Sequence, residues 1–180
     1  MGETGIQRLN AASREEAFAD LLACCGSIKW AQRMTDLRPY ADWASIREAA
    51  ERLWWELRPD DWLEAFASHP KIGERQAERN RSTQSAAWSA GEQSGIRDAT
   101  EETLAALAEA NRTYQDRFGY IFIICATGKQ TAEMLAQCRQ RLSNDPETEF
   151  RIAAAEQHQI TEIRLKKLIE ETQSVVNQIG

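Results

Sequence analysis

Two segments of the chain carry residue types that can do acid–base chemistry: Ser68-His69-Pro70-Lys71-Ile72-Gly73-Glu74 and, further on, Trp88-Ser89-Ala90-Gly91-Glu92-Gln93-Ser94-Gly95. The chain has only two histidines, so His69 is not one of many surface imidazoles. Imidazole titrates near neutral pH and serves as a general acid or base. Pro70 disfavours the α conformation of the residue before it, so the helix leading into Ser68 is expected to stop there, with His69 extended at its end. A helix C-terminus favours the protonated ring. The plain alternative is a capping histidine. A Glu92 carboxylate that reached this imidazole would stabilise its cation and select the nitrogen that faces a substrate. Beside a helix start, the same carboxylate would be ordinary charge complementarity. Ser89 and Gln93 offer neutral donors and acceptors suited to the amide and carbonyl edges of a small polar heterocycle. Arg164 interrupts the apolar strip Ile160, Ile163, Leu165, Leu168. It could clamp a carboxylate or carbonyl bidentately, or lie at the surface with its stem packed.

Other chemistries fit less well. His69, His158 and the four cysteines show none of the short paired spacings used by metal sites, so no metal is expected. Cys24 and Cys25 have no neighbouring base in sequence, and no glycine-rich loop opens a helix, so neither a thiol nucleophile nor a nucleotide cofactor is implied. A net charge of -6 opposes a nucleic-acid partner or a DNA-reading regulator, which need a basic stripe or recognition helix. Cys24, Cys25, Cys125 and Cys138 lie in apolar contexts and read as reduced core thiols, fitting a cytoplasmic protein. No segment has the length of a membrane span, and Met1 to Asn10 lacks the apolar run of a signal peptide.

The elements that must position these residues are helical. Apolar residues recur at three and four spacing, strand alternation is nearly absent, and 180 residues suffice for one domain. The expected fold is all-α, a single-domain multi-helix bundle over residues 1–180 with a long C-terminal helix. Ser13 with Glu16 forms a capping box closed by Gly26, and a short helix follows through Trp30 and Met34. After Arg38-Pro39 a helix from about Asp42 to Leu57 buries Ile46, Ala49, Ala50, Leu53 and Trp54. Asp60 or Asp61 caps the next helix, which carries Trp62, Leu63 and Phe66 to His69. Lys71 to Ser85 is polar, with a helical turn near Glu74 to Arg79. A long helix from roughly Gly95 to Arg117 ends at Phe118-Gly119. The apolar run Tyr120 to Cys125 suits either a core helix or, by its β-branched content, an extended buried stretch leading into a helix; the favoured expectation is one short extended segment near 118–125. Thr131 to Leu142 is helical, with Met134, Leu135 and Cys138 on one face. Asn144-Asp145-Pro146 opens the last helix, which runs to about Asn177 and buries Phe150, Ala153, Ile160, Ile163, Leu168 and Ile169. Trp54, Trp55 and Trp62 suit either a core or an exposed dimer patch.

These residues, taken in order, resemble the 2-oxo-4-hydroxy-4-carboxy-5-ureidoimidazoline (OHCU) decarboxylase family. Leu9-Asn10, Phe18, Cys24, Trp30 and Arg38-Pro39-Tyr40 are similar to its N-terminal landmarks. His69-Pro70 with Ile72-Gly73-Glu74, then Ser89 to Gln93, are similar to its site segments. Phe118-Gly119-Tyr120-Ile121-Phe122, Thr127-Gly128-Lys129 and Arg164-Leu165 complete the pattern, which covers the whole chain. The resemblance implies an all-helical, cofactor-independent decarboxylase, commonly a homodimer, that turns OHCU into (S)-allantoin in urate breakdown. It implies His69 as acid/base assisted by Glu92. Ser89, Gln93 and Arg164 would hold ring and ureido groups, backbone amides of Gly119, Tyr120 and Ile121 would contact the ring, and Pro70, Phe118 and Ile121 would form apolar walls. The competing readings are a ureide-binding module without turnover and a hydrolase of a related ureide in which His69 activates water.

Overall fold

The apolar periodicity folds as helix in the computed structural model, which describes residues 5–71, 83–92 and 99–176, and no strand occurs among them. The fold is all-α. The chain divides into two compact units, Met1–Trp62 with His158–Gly180, and Leu63–Gln157. Their boundaries fall inside two helices, α5 (Pro59–Ala67) and α9 (Pro146–Val176).

The first unit holds α1 (Gly5–Ala11), α2 (Arg14–Cys25), α3 (Ile28–Asp36), α4 (Trp43–Trp55), the start of α5 and the later part of α9. The expected capping box is present: the Ser13 hydroxyl accepts from the Glu16 N–H while the Glu16 carboxylate accepts from the Ser13 N–H. Gly26 ends α2 at φ 85°, a conformation that costs glycine little. Asp42 caps α4, which buries Ile46, Ala49, Ala50, Leu53 and Trp54 as the spacing predicts. The Arg38 guanidinium donates to the carbonyls of Leu9, Ala12 and Thr35, satisfying helix-end carbonyls that would otherwise lack partners. Gly5 is held at close quarters, since a Cβ there would stand 2.0 Å from the Ile169 carbonyl oxygen.

The helix α5 begins at Pro59, so neither Asp60 nor Asp61 is its N-cap; Asp61 instead accepts from the backbone N–H of Arg58. Proline at the first helical position needs no N–H partner and starts the helix one step early. The tryptophans also split: Trp54 and Trp62 are buried and stacked, whereas Trp55 is 42% exposed.

The second unit holds the end of α5, α6 (Thr83–Glu92), α7 (Glu101–Phe118), α8 (Thr131–Arg141) and the start of α9. Thr100 accepts from the Thr103 N–H and starts α7 later than the expected Gly95. Gly119, at φ 81°, stops it at the expected place. Leu63 on α5 is 38% exposed. The core packs Leu107, Ala110 and Tyr114 of α7 against Phe122, Ile124 and Ala126, and against Met134, Leu135 and Cys138 of α8. The helical turn expected around Glu74 to Arg79 lies outside the described residues, as does Gln93.

Candidate active site

Residues 121–126 run between α7 and α8 without helix or strand, as their β-branched content suggests, and 122–126 are buried. A buried segment with no regular hydrogen-bond ladder must find partners for its peptide groups elsewhere. Side chains supply them. The Arg141 guanidinium donates to the Ile123 carbonyl at 2.8 Å. The Glu156 carboxylate accepts from the Cys125 N–H at 2.7 Å, and the Lys129 ammonium donates to the Cys125 carbonyl at 2.7 Å. The Phe122 ring lies under the Arg141 guanidinium and edge-on to Tyr114.

Arg141 can do this because its charge is matched. It is buried with Glu149, to which its Nε and a terminal nitrogen donate at 2.8 and 2.6 Å. Tyr114 donates to the same carboxylate, and Asn144 donates to its other oxygen. Burial works against the guanidinium charge, but the bonds and charge of Glu149 outweigh it and hold the Arg141 pKa above its ordinary value. Burial, with the Glu149 hydrogen bond, pushes the Tyr114 phenol well up. The composition of α9 contains a signal for this cluster that apolar periodicity passes over: Glu149, Gln157, Thr161 and Arg164 share the buried stripe of Ala153, Leu165 and Leu168. Polar residues at core register are seldom buried without partners.

His69 stands at the end of α5. Its N–H donates to the Phe66 carbonyl, and Ser68 turns back onto the Ala65 carbonyl through both its N–H and hydroxyl. Its ring is half-buried, and Nε2 lies 2.6 Å from Oε1 of Gln157 on α9, a residue with no exposed surface. Phe66, one turn earlier, packs against Tyr120 and Phe150. Consecutive residues of α9, Glu156 and Gln157, therefore hold the extended segment and the imidazole. Neither stood out in the sequence.

Glu92 and Ser89 are both buried on α6. Glu92 is the tenth residue of α6, so charge complementarity with the start of that helix does not account for it. Its charge, like that of Glu156, acts on Cys125, whose thiol is pushed up chiefly by burial. Pro70 and Ile121 are half-buried, as are Phe118 and Tyr120, while Gly119 is exposed. His69, Pro70, Ser89, Glu92 and residues 118–121 thus belong to one compact unit. Arg164 belongs to the other, and it is 2% exposed, which removes the surface alternative; one of its terminal nitrogens lies 3.4 Å from the Ala23 carbonyl. Leu63, Phe118, Gly119, Tyr120, Pro146, Glu147 and Phe150 border an open hollow of about 410 Å³. Its lining is mostly apolar, and Phe118, Gly119 and Tyr120 of the expected site are part of it.

The four cysteines are free and buried, and burial raises the Cys138 thiol to about 11. Among the described residues no helix is long and apolar enough to cross a membrane.

The chain and its architecture have counterparts. A crystal structure of OHCU decarboxylase in the presence of (S)-allantoin superposes with a TM-score of 0.72 at 36% identity, over 84% of this chain and 97% of that one. The uric acid degradation bifunctional protein TTL of Arabidopsis thaliana is 37% identical over 86% of this chain, which spans 48% of that protein's length. A 2-oxo-4-hydroxy-4-carboxy-5-ureidoimidazoline decarboxylase of Haloferax volcanii is 28% identical over 89% of this chain and 91% of its own. The family model described as OHCU decarboxylase matches residues 10–166, a range that contains every candidate side chain named above. With most of its length matched in this way, the chain belongs to the OHCU decarboxylase family.

Proposed function

We propose that this chain is a carboxy-lyase that converts OHCU to (S)-allantoin in urate breakdown, with no cofactor, as a cytoplasmic homodimer. The observation that carries the reading is the family match over residues 10–166, which takes in His69, Glu92 and the extended segment together.

The chemistry needs little beyond placement. The carboxylate leaves a carbon that bears a hydroxyl and adjoins a carbon–nitrogen double bond. When the carbon–carboxylate bond breaks, carbon dioxide departs and the electron pair flows into the imine, so the substrate supplies its own electron sink. His69 hydrogen-bonds to or deprotonates the hydroxyl, which becomes the product carbonyl, and Glu92 orients the imidazole or shares that hydroxyl. Ser89, Gln93 and Arg164 hold the ring and ureido groups, and backbone N–H groups of Gly119, Tyr120 and Ile121 contact the ring. Pro70, Phe118 and Ile121 keep water from the carboxylate, whose charge is then lost more readily. Protonation of the ureido-bearing carbon from one face gives one enantiomer.

The test is circular dichroism of OHCU generated in place from urate, with wild type or His69→Asn added. Wild type should accelerate a single-signed allantoin signal with matching carbon dioxide release, and the variant should not. A folded wild type that leaves the racemic decay unchanged would overturn the reading.

A further inference from the structure

We infer that Gln157 is a positioning residue whose buried amide carbonyl holds His69 as the Nε2–H tautomer, so that Nδ1 is the ring atom that exchanges a proton with the substrate. This rests on His69 being the acid/base group. An amide oxygen can only accept, so the ring nitrogen 2.6 Å from it must carry the hydrogen, in the neutral ring and in the cation alike. Gln157 has no exposed surface, so solvent cannot take over its role. Its neighbour Glu156 holds the Cys125 N–H, so one turn of α9 sets the imidazole against the extended segment. With Nε2 on Gln157 and Nδ1 on the substrate, Glu92 takes the second of its two roles, sharing the hydroxyl, and the acceptor that fixes the ring is uncharged. A carboxylate in its place would favour the imidazolium and leave less of the ring free to take a proton at neutral pH, whereas an amide fixes the tautomer with a smaller bias towards the cation.

Because the chain has two histidines, protein labelled with nitrogen-15 histidine shows two ring systems, and His69→Asn identifies which belongs to His69. Wild type above its titration should show a pyrrole-like Nε2 and a pyridine-like Nδ1 for His69. Gln157→Leu should average the two tautomers and lower kcat by up to about a hundredfold, the lower end of what a placed general base supplies, with KM little changed. Gln157→Glu, of nearly the same shape, should keep the ring protonated to higher pH and move the acidic limb of kcat/KM the same way. An Nδ1–H tautomer in wild type, which an opposite amide orientation would produce, overturns the inference. A folded Gln157→Glu with the wild-type pH profile also overturns it. Full activity in His69→Asn would instead remove the acid/base role on which the inference depends, and that failure is distinguishable from the other two.

Discussion

Two polar clusters hang on the same helix, roughly two turns apart, and they are built differently. Around Glu149 the side chains are charged: Arg141 pairs with it, and Tyr114 and Asn144 complete its hydrogen bonds. Around Gln157 the contact with His69 is made through an amide, which carries no charge. In the first cluster the guanidinium and the phenol are both pushed upward, away from neutral pH. That cluster can afford full charges because each is matched, and in return it anchors the Ile123 carbonyl. The second must let an imidazole gain and lose a proton, so a neutral partner suits it. The contrast separates a cluster that fixes backbone from one that tunes a reactive ring.

The largest expected effect falls on the second cluster. His69→Asn should lower kcat by about 10²- to 10⁴-fold and cost no more than about 1–3 kcal/mol, the loss of a donor to the buried Gln157 carbonyl, measured by product formation and by denaturant unfolding. A larger loss of stability with little loss of turnover would make the ring structural and collapse the contrast. Next comes the charged cluster: Glu149→Gln should cost about 3–5 kcal/mol in denaturant unfolding, because it leaves Arg141 buried without its counter-charge. Pairing Glu149→Leu with Arg141→Met should recover part of that loss, since both charges are then gone. Glu156→Gln stands between the clusters. It should cost about 1.5 kcal/mol, the lower end for a hydrogen bond to a charged acceptor, and should reduce turnover by loosening the Cys125 peptide.

The smallest effect concerns the other histidine, which shows what an imidazole does without such an acceptor. His158 packs against Trp55, its Nδ1 is buried with no hydrogen bond, and burial lowers its pKa below the ordinary 6.5. The unfolded chain therefore binds the proton more readily than the folded one. Stability from this group is complete above pH 6.5 and is lost as pH falls through that value towards the lowered one. Unfolding free energy measured between pH 7 and 5 should decline less steeply in His158→Asn than in wild type. An equal decline would mean that other groups dominate the acid side.

Local patterns in the sequence were enough for most of the helices. Ser13 with Glu16, Asp145 before Pro146, and Gly119 act within a few residues of themselves, so capping and stopping are written where they occur. The run from Tyr120 to Cys125 was legible only in part, since its β-branched residues favoured an extended stretch while periodicity alone left a core helix open. Starts set by competing caps were less so: Pro59 overrode the two aspartates that follow it, and Thr100 placed the start of α7 beyond Gly95. The family pattern pointed to His69 and Glu92, but the partner of the His69 ring came from 88 residues along the chain. Partners such as Gln157, Glu156 and Glu149 satisfy buried groups that are remote in sequence. Helical periodicity registers them only as polar residues on a stripe that ought to be apolar. What they bond to depends on which helix end or peptide group packs against that stripe, and only the tertiary structure decides that.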